Sequence, residues 1–205
     1  MEKIFYYIAK GMRILLHPSA KNRCRIDRTS KVCSGSQLNK VSMDKYSYIG
    51  HDCFLNNVSI GSFCSIADSC KIGGAQHQIA YVSTSPVFTE GRNTLNMNFS
   101  EHPDTTDPVT VIGADVWIGM GTIIKGGVSI GVGSVIGAGS VLTKNVPPYE
   151  IWAGNPAQKI RDRFSYEQKN ELLNSEWWNW STKKIISNAE FFNDVDCFLK
   201  NRNER

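Results

Sequence analysis

The chain has 205 residues, 41% of them hydrophobic and 20% charged, and carries a formal charge of +4 from 23 basic and 19 acidic residues. That length suits one domain, and so mild a charge argues against nucleic acid as a partner. The basic residues gather around Lys21, Arg23, Arg25 and Arg28 and around Lys159, Arg161 and Arg163, without a long tract. The six cysteines show neither the paired spacing of a zinc site nor the density of a secreted disulfide scaffold, so reduced thiols, a cytoplasmic location and no metal ligand are expected.

In residues 1–16, Ile4, Phe5, Ile8, Met12, Leu15 and Leu16 recur at helical spacing with Lys3, Lys10 and Arg13 between them, which predicts a short amphipathic helix. Lys10, Gly11 and Arg13 break the apolar run, and no small-residue cleavage site follows. A spanning helix would need about 20 apolar residues. The helix is expected to pack over the end of the body, with membrane contact at most peripheral.

A six-residue beat follows. Ile26, Val32, Leu38, then Met43, Ile49, Leu55, then Ile60, Ile66, Ile72 form triplets separated by a step of five; Ile112, Ile118, Ile124, Ile130, Ile136 and Leu142 keep a step of six. Four places after each aliphatic stands a small or β-branched residue, among them Ser36, Ser47, Cys53, Cys64, Cys70, Val116, Thr122, Ser134 and Ser140. A period this short cannot be a helical array. Three hexads of extended chain make one triangular coil whose inward aliphatics stack on the next coil, so the prediction is a mainly β protein, a parallel β-helix. Early coils should be one residue shorter at a corner, and Cys53, Cys64 and Cys70 should act as compact interior hydrophobes.

The beat stops over residues 73–111, a polar, Asn-rich insertion punctuated by Pro86, Pro103 and Pro108. Loops of this length inside a compact protein are usually functional or disordered, and this one is where chemistry is expected. Pro147 and Pro148 end the regular pattern, and the solenoid should close near them. Beyond Ser165, the spacing of Leu172, Leu173, Trp177, Trp178, Ile185, Ile186, Phe191 and Phe192 predicts one or two helices, which the tryptophans would anchor to the solenoid or a neighbouring subunit. The expected organisation is residues 1–164 as helix plus β-helix and 165–205 as a helical extension.

No nucleophile elbow, phosphate-binding loop or dinucleotide fingerprint is present; the glycines at 131, 133, 137 and 139 follow the hexad beat as coil corners. Such corners would also let a ligand approach the backbone. Among the four histidines, His77 opens the insertion directly after a coil, which makes it the first candidate for a general base. His102, before Pro103 in the same insertion, is its competitor; His17 and His51 read as surface residues.

Several segments taken together resemble the hexapeptide-repeat acyltransferases, in the branch of xenobiotic and polysaccharide O-acetyltransferases. They are Ile60-Gly61-Ser62-Phe63-Cys64-Ser65-Ile66-Ala67, His77 with Ser83-Thr84-Ser85-Pro86-Val87-Phe88, Asp115-Val116-Trp117-Ile118-Gly119, Thr143-Lys144-Asn145-Val146-Pro147-Pro148-Tyr149 and Ala153-Gly154-Asn155-Pro156-Ala157. The resemblance covers nearly the whole chain. It implies a left-handed β-helix, a homotrimer, and acetyl-CoA bound between subunits as co-substrate. It further implies that His77 deprotonates an acceptor hydroxyl that attacks the thioester directly. Trp117, Ser83 and Thr84 would border the acceptor; Met120, Ala138, Thr143 and Lys144 would contact the cofactor, and Lys159 and Arg161 its phosphates. Met120 departs from the small or polar residue common in relatives. The Ser83–Phe88 stretch tilts the acceptor toward a sugar or polysaccharide hydroxyl. An antibiotic such as chloramphenicol or streptogramin A, an aminosugar amine, or a catalytically silent binding module are the alternatives.

Overall fold

The computed structural model describes residues 2–104 and 107–202. Short parallel strands stack into three faces. The first comprises Ala20–Asn22, the first halves of Gln37–Met43 and Phe54–Ile60, then Lys71–Gly73, Ile123–Ile124 and Val141–Leu142. The second comprises Arg25–Ile26, the second halves of those two long strands, Thr110–Ile112 and Ser129–Ile130. The third comprises Lys31–Val32, Tyr48–Ile49, Ser65–Ile66, Trp117–Ile118, Val135–Ile136 and Glu150–Gly154. The fold is a parallel β-solenoid.

Stacked partners confirm the two coil lengths. Leu38 lies over Leu55 and Met43 over Ile60, 17 residues on, whereas Ile112 lies over Ile130 and Ile118 over Ile136, 18 on. The missing residue falls at the corner between the first and second faces, where Lys40 and Asn57 take left-handed backbone (φ 53° and 55°) and turn the chain within a single strand. Inside, the aliphatic columns are sealed: Ile49, Leu55, Ile66, Ile72, Ile118, Ile136 and Leu142 are fully buried. Each contributes roughly 1.5–3 kcal/mol of transfer free energy.

The small interior positions do more than save space. Ser36 Oγ donates to Gly50 O at 2.7 Å, Ser47 Oγ to Gly61 O at 2.8 Å, Cys53 Sγ to Ala67 O at 3.2 Å and Cys64 Sγ to Gly113 O at 3.0 Å. At these corners the turn strands a carbonyl away from water, and a hydroxyl or thiol from the adjoining coil satisfies it. The buried cysteines are thus weak donors as well as hydrophobes, and burial pushes the Cys64 thiol up to about 12.

The glycine that follows many of the aliphatics has a stacking cause. A Cβ on Gly119 would lie 2.4 Å from Ala138 N, and one on Gly61 2.7 Å from Ala114 N, in each case against the backbone of the next coil.

Pro147 and Pro148 do not end the solenoid. They form a corner, with Ser134 Oγ donating to Pro147 O, and Glu150–Gly154 adds one more rung to the third face. The chain then reverses through the cis Asn155–Pro156 bond into Ala157–Asp162, which pairs antiparallel to that rung.

Among the described residues three short α-helices follow instead of one or two: α1 (Tyr166–Ser175), α2 (Thr182–Asn188) and α3 (Val195–Asn201), each started by its own cap from Ser165, Ser181 or Asp194. Trp177 is buried with its ring 5.0 Å from Phe63 and 5.1 Å from Phe192, so the tryptophans do anchor this segment to the solenoid. The amphipathic N-terminal helix αN spans Glu2–Leu16. It forms as predicted but does not pack over the coil: Ile4, Phe5, Ile8, Met12, Leu15 and Leu16 are 53–79% exposed, and Arg13 pairs with Asp52 on the second coil.

Candidate active site

The insertion leaves the solenoid where the corner ladder ends. Asn22, Asn39 and Asn56 stack there through side-chain amides at 2.7 and 2.6 Å, and Gly73 takes the next place. Gly73 has φ +77°, and a Cβ would sit 2.1 Å from Asn56 O, so this exit requires glycine. Two polar ties fix the base of the loop. Gln76 Nε2 donates to Gly126 O at 2.9 Å on the coil below. On the return, Asp107 accepts from Lys40 Nζ at 2.7 Å and Asn56 Nδ2 at 3.3 Å, and its carbonyl accepts from Asn57 Nδ2 at 2.7 Å. His77 is therefore carried one residue from a fixed point of the solenoid.

The insertion is folded within itself. Ser85 caps a 3-10 turn, Pro86–Phe88, that buries Val87. Asn98 Nδ2 donates to Thr89 O at 2.6 Å, Asn93 Nδ2 to Met97 O at 2.9 Å, and the Phe88 and Phe99 rings meet edge-on at 5.7 Å. Asn and Ser side chains serve here as substitutes for a strand ladder, which is why the stretch is rich in them.

His77 Nδ1 lies 2.8 Å from Thr84 O. A carbonyl can only accept, so Nδ1 carries the proton and donates, which leaves Nε2 with its lone pair free of that bond. The ring is exposed at the wall of a cleft of about 220 Å3 that Ser83, Thr84, Arg92 and Asp104 help to line. An adjoining, more apolar cleft of about 450 Å3 is lined by Tyr81, Val82, Phe88 and His102, and Ser83 borders both. Of the predicted acceptor residues, Ser83 and Thr84 thus stand beside His77, and Thr84 acts through its carbonyl. His102 lies in the neighbouring cleft, its ring 5.9 Å from Tyr81 and its backbone bridged to Thr89.

The other candidates lie elsewhere on the coil. Trp117 projects from the third face and is 55% exposed, across the triangular section from the corner that bears His77. Met120 and Ala138 stack at the corner between the third and first faces, tied by Gly139 N to Met120 O at 2.8 Å. Thr143 and Lys144 lie at the corner between the first and second faces, two coils beyond the loop exit. The first face lies between these two edges. Lys159 is held by Glu150 and Asp162 at 2.7 and 2.9 Å, while Arg161 donates to Asp162 O at 2.9 Å. One chain does not bring His77 and Trp117 together.

Two supporting residues went unnoticed in the sequence, Gln76 and Asp107. Neither has a local signature, because what each holds is 50 or more positions away in the chain. Among the described residues, no group of three or more His, Cys, Asp or Glu side chains could hold a metal ion.

Residues 110–144 match the family described as bacterial transferase hexapeptide (six repeats). A probable macrolide acetyltransferase of Lysinibacillus sphaericus is 42% identical over 135 residues, 64% of this chain and 74% of that protein. A chloramphenicol acetyltransferase of Klebsiella aerogenes is 42% identical over 131 residues, 62% of this chain and 61% of that protein, so the chain spans about three-fifths of that relative. Among solved structures, the polySia-specific acetyltransferase NeuO superposes with TM-score 0.51 at 27% identity, over 70% of this chain and 62% of its own. The N-acyltransferase AntD from Bacillus cereus, in complex with dTDP and 3-hydroxybutyryl-CoA, has the same fold at TM-score 0.51 and 19% identity, over 82% and 96%.

Proposed function

Because the chain belongs to the hexapeptide-repeat bacterial transferases and is an acetyltransferase, we propose that it moves an acetyl group from acetyl-CoA to a hydroxyl of a sugar or polysaccharide, with His77 as the general base. The observation that carries this reading is the 2.8 Å contact of His77 Nδ1 with Thr84 O, which presents Nε2 as acceptor for a hydroxyl proton. The acceptor oxygen forms the new C–O bond at the thioester carbonyl carbon, the C–S bond breaks, and the proton held at Nε2 passes to the departing thiolate. No acyl-enzyme forms. Such a base contributes typically 10²–10⁴-fold.

The polar lining around His77, with Ser83, Thr84, Arg92 and Asp104, suits an acceptor with several hydroxyls. The arm of acetyl-CoA suits the corner between the third and first faces, where Met120 is exposed and Gly139 has open space over it, with Lys144 and Arg161 as exposed cations for its phosphates. Lys159 already balances two carboxylates and is the weaker candidate. Since Trp117 and His77 lie on opposite sides of one coil, the reading requires Trp117 from a second copy, and a homotrimer supplies it.

A hydroxyl of an antibiotic is the second reading. It is favoured by the apolar cleft of Tyr81, Val82 and Phe88 beside Ser83 and by the macrolide and chloramphenicol acetyltransferases among the relatives. Thiol release from acetyl-CoA, with glycans, nucleotide aminosugars, chloramphenicol and streptogramin A as acceptors, separates the readings. Release with a glycan that vanishes in His77→Ala is the expected result. Turnover on a drug alone establishes the second reading, and an unchanged His77→Ala removes the histidine from the mechanism.

A further inference from the structure

The charge of this chain is unevenly placed. Eight of its 23 basic residues but two of its 19 acidic ones fall within the first 31 positions, a balance of six positive charges against +4 for the whole. Those residues are αN and the first coil of the solenoid. On that coil Lys21, Arg23, Arg25 and Arg28 are all exposed. Beside it, αN displays one stripe, Ile4, Phe5, Ile8, Met12, Leu15 and Leu16, at helical spacing and more than half exposed throughout. Arg13 stands on the other side of the helix together with Tyr6, Tyr7 and Ile14, which are also exposed, the two tyrosine rings 5.4 Å apart.

Exposing six large apolar side chains on one helix costs free energy that only a covering surface recovers. From αN and the first coil we infer that this end of the solenoid docks on an anionic membrane surface, αN lying in the interface with its apolar stripe toward the acyl chains. The helix is about 22 Å long, too short and too charged to cross a bilayer, but suited to lie along one, and no helix among the described residues is long and apolar enough to cross a membrane. The three residues between Leu16 and Ala20 span at most about 10 Å, so the C-terminal end of the helix stays within roughly a Debye length of the basic coil. The charge decides between occupants. A second copy seated here would bring one basic end against another, whereas anionic headgroups neutralise it. Docking through this end leaves the later coils and the His77 loop unobstructed, so the inference stands whichever acceptor the enzyme uses.

The test is flotation of the full chain with vesicles. Wild type should float with equal parts phosphatidylglycerol and phosphatidylcholine in 50 mM salt, lose most of that binding in 0.5 M salt, and stay down with phosphatidylcholine alone. Ile8→Asp should reduce binding more than tenfold, and Arg23→Gln with Arg25→Gln by about fivefold per charge removed. Circular dichroism of each variant checks that the solenoid is intact, since all three residues are exposed. Flotation unchanged by Ile8→Asp, or equal on neutral vesicles, overturns the inference. So does an absence of flotation combined with a smaller sedimentation mass for Ile8→Asp, which would show that another copy covers the stripe.

Discussion

Two glycines only two residues apart, Gly119 and Gly121, should respond very differently to alanine. A Cβ on Gly119 would meet Ala138 N at 2.4 Å, Ala138 Cα at 2.7 Å and Gly137 C at 2.9 Å, all of them backbone atoms with no rotamer to yield. Relief needs the coils to part locally by about 1 Å. That lengthens the bonds Gly119 N to Ile136 O and Gly139 N to Met120 O, both now 2.8 Å, beyond useful range. Two hydrogen bonds at about 1 kcal/mol each and overpacking strain of about 1–3 kcal/mol predict a loss of about 3–5 kcal/mol. Gly121 has φ +70° with nothing within 4 Å of an added Cβ. Alanine there costs about 1–2 kcal/mol of left-handed strain, offset by about 0.4–1 kcal/mol from the stiffer unfolded chain. Urea unfolding followed by tryptophan fluorescence, at one fixed protein concentration so that association cancels, measures both. Equal midpoints, or a greater loss for Gly121→Ala, would refute the claim that coil stacking selects the first glycine and backbone conformation the second.

Burial raises the Asp115 carboxyl against the opposing pull of the Arg163 guanidinium, 3.2 Å away. A carboxyl raised in the folded state withdraws stability as pH climbs from the unfolded value, near 3.9, through the folded one. Arg163→Gln should therefore cost more at pH 8 than at pH 4, by roughly 1 kcal/mol for so partly exposed a pair; a loss independent of pH would mean that Arg163 acts by packing on Tyr149 and Phe164 alone. With an aromatic disulfide reagent, Cys24, Cys33 and Cys197 should react in the native state, and Cys53, Cys64 and Cys70 only on unfolding, because the last three are buried and the Cys64 thiol is pushed up to about 12; more than three rapid equivalents would contradict this. Asp107→Ala removes the exposed tie to Lys40 and Asn56, so it should change global stability by less than about 1 kcal/mol while raising KM for the acceptor several-fold as the loop base loosens. Loss of stability without a change in KM would place its role in the fold.

What the sequence could specify was what repeats. A beat of six with small residues four places on determines coil geometry because each coil sees only its neighbours, and the step of five after Leu38 and Leu55 placed the tight corner correctly. His77 was legible for a related reason: it follows immediately where the beat fails. The pairing of Pro147 and Pro148 misled because proline signals an end only where an amide is needed, and a corner needs none at those positions. Helix counts failed after Ser165 because capping side chains, more than apolar spacing, divide that segment.

Other features were decided by tertiary structure. Thr84 serves through a carbonyl, which every residue has, and no residue type announces that use. Asp107 acts on Lys40, Asn56 and Asn57, positions that become neighbours only once the coils have stacked. The separation of Trp117 from His77 is likewise a matter of which face of the triangle each occupies. Periodicity is local and is written in the chain. The meeting of distant side chains depends on how many coils intervene and at which corner the chain departs, and those distances exist only in the folded solenoid.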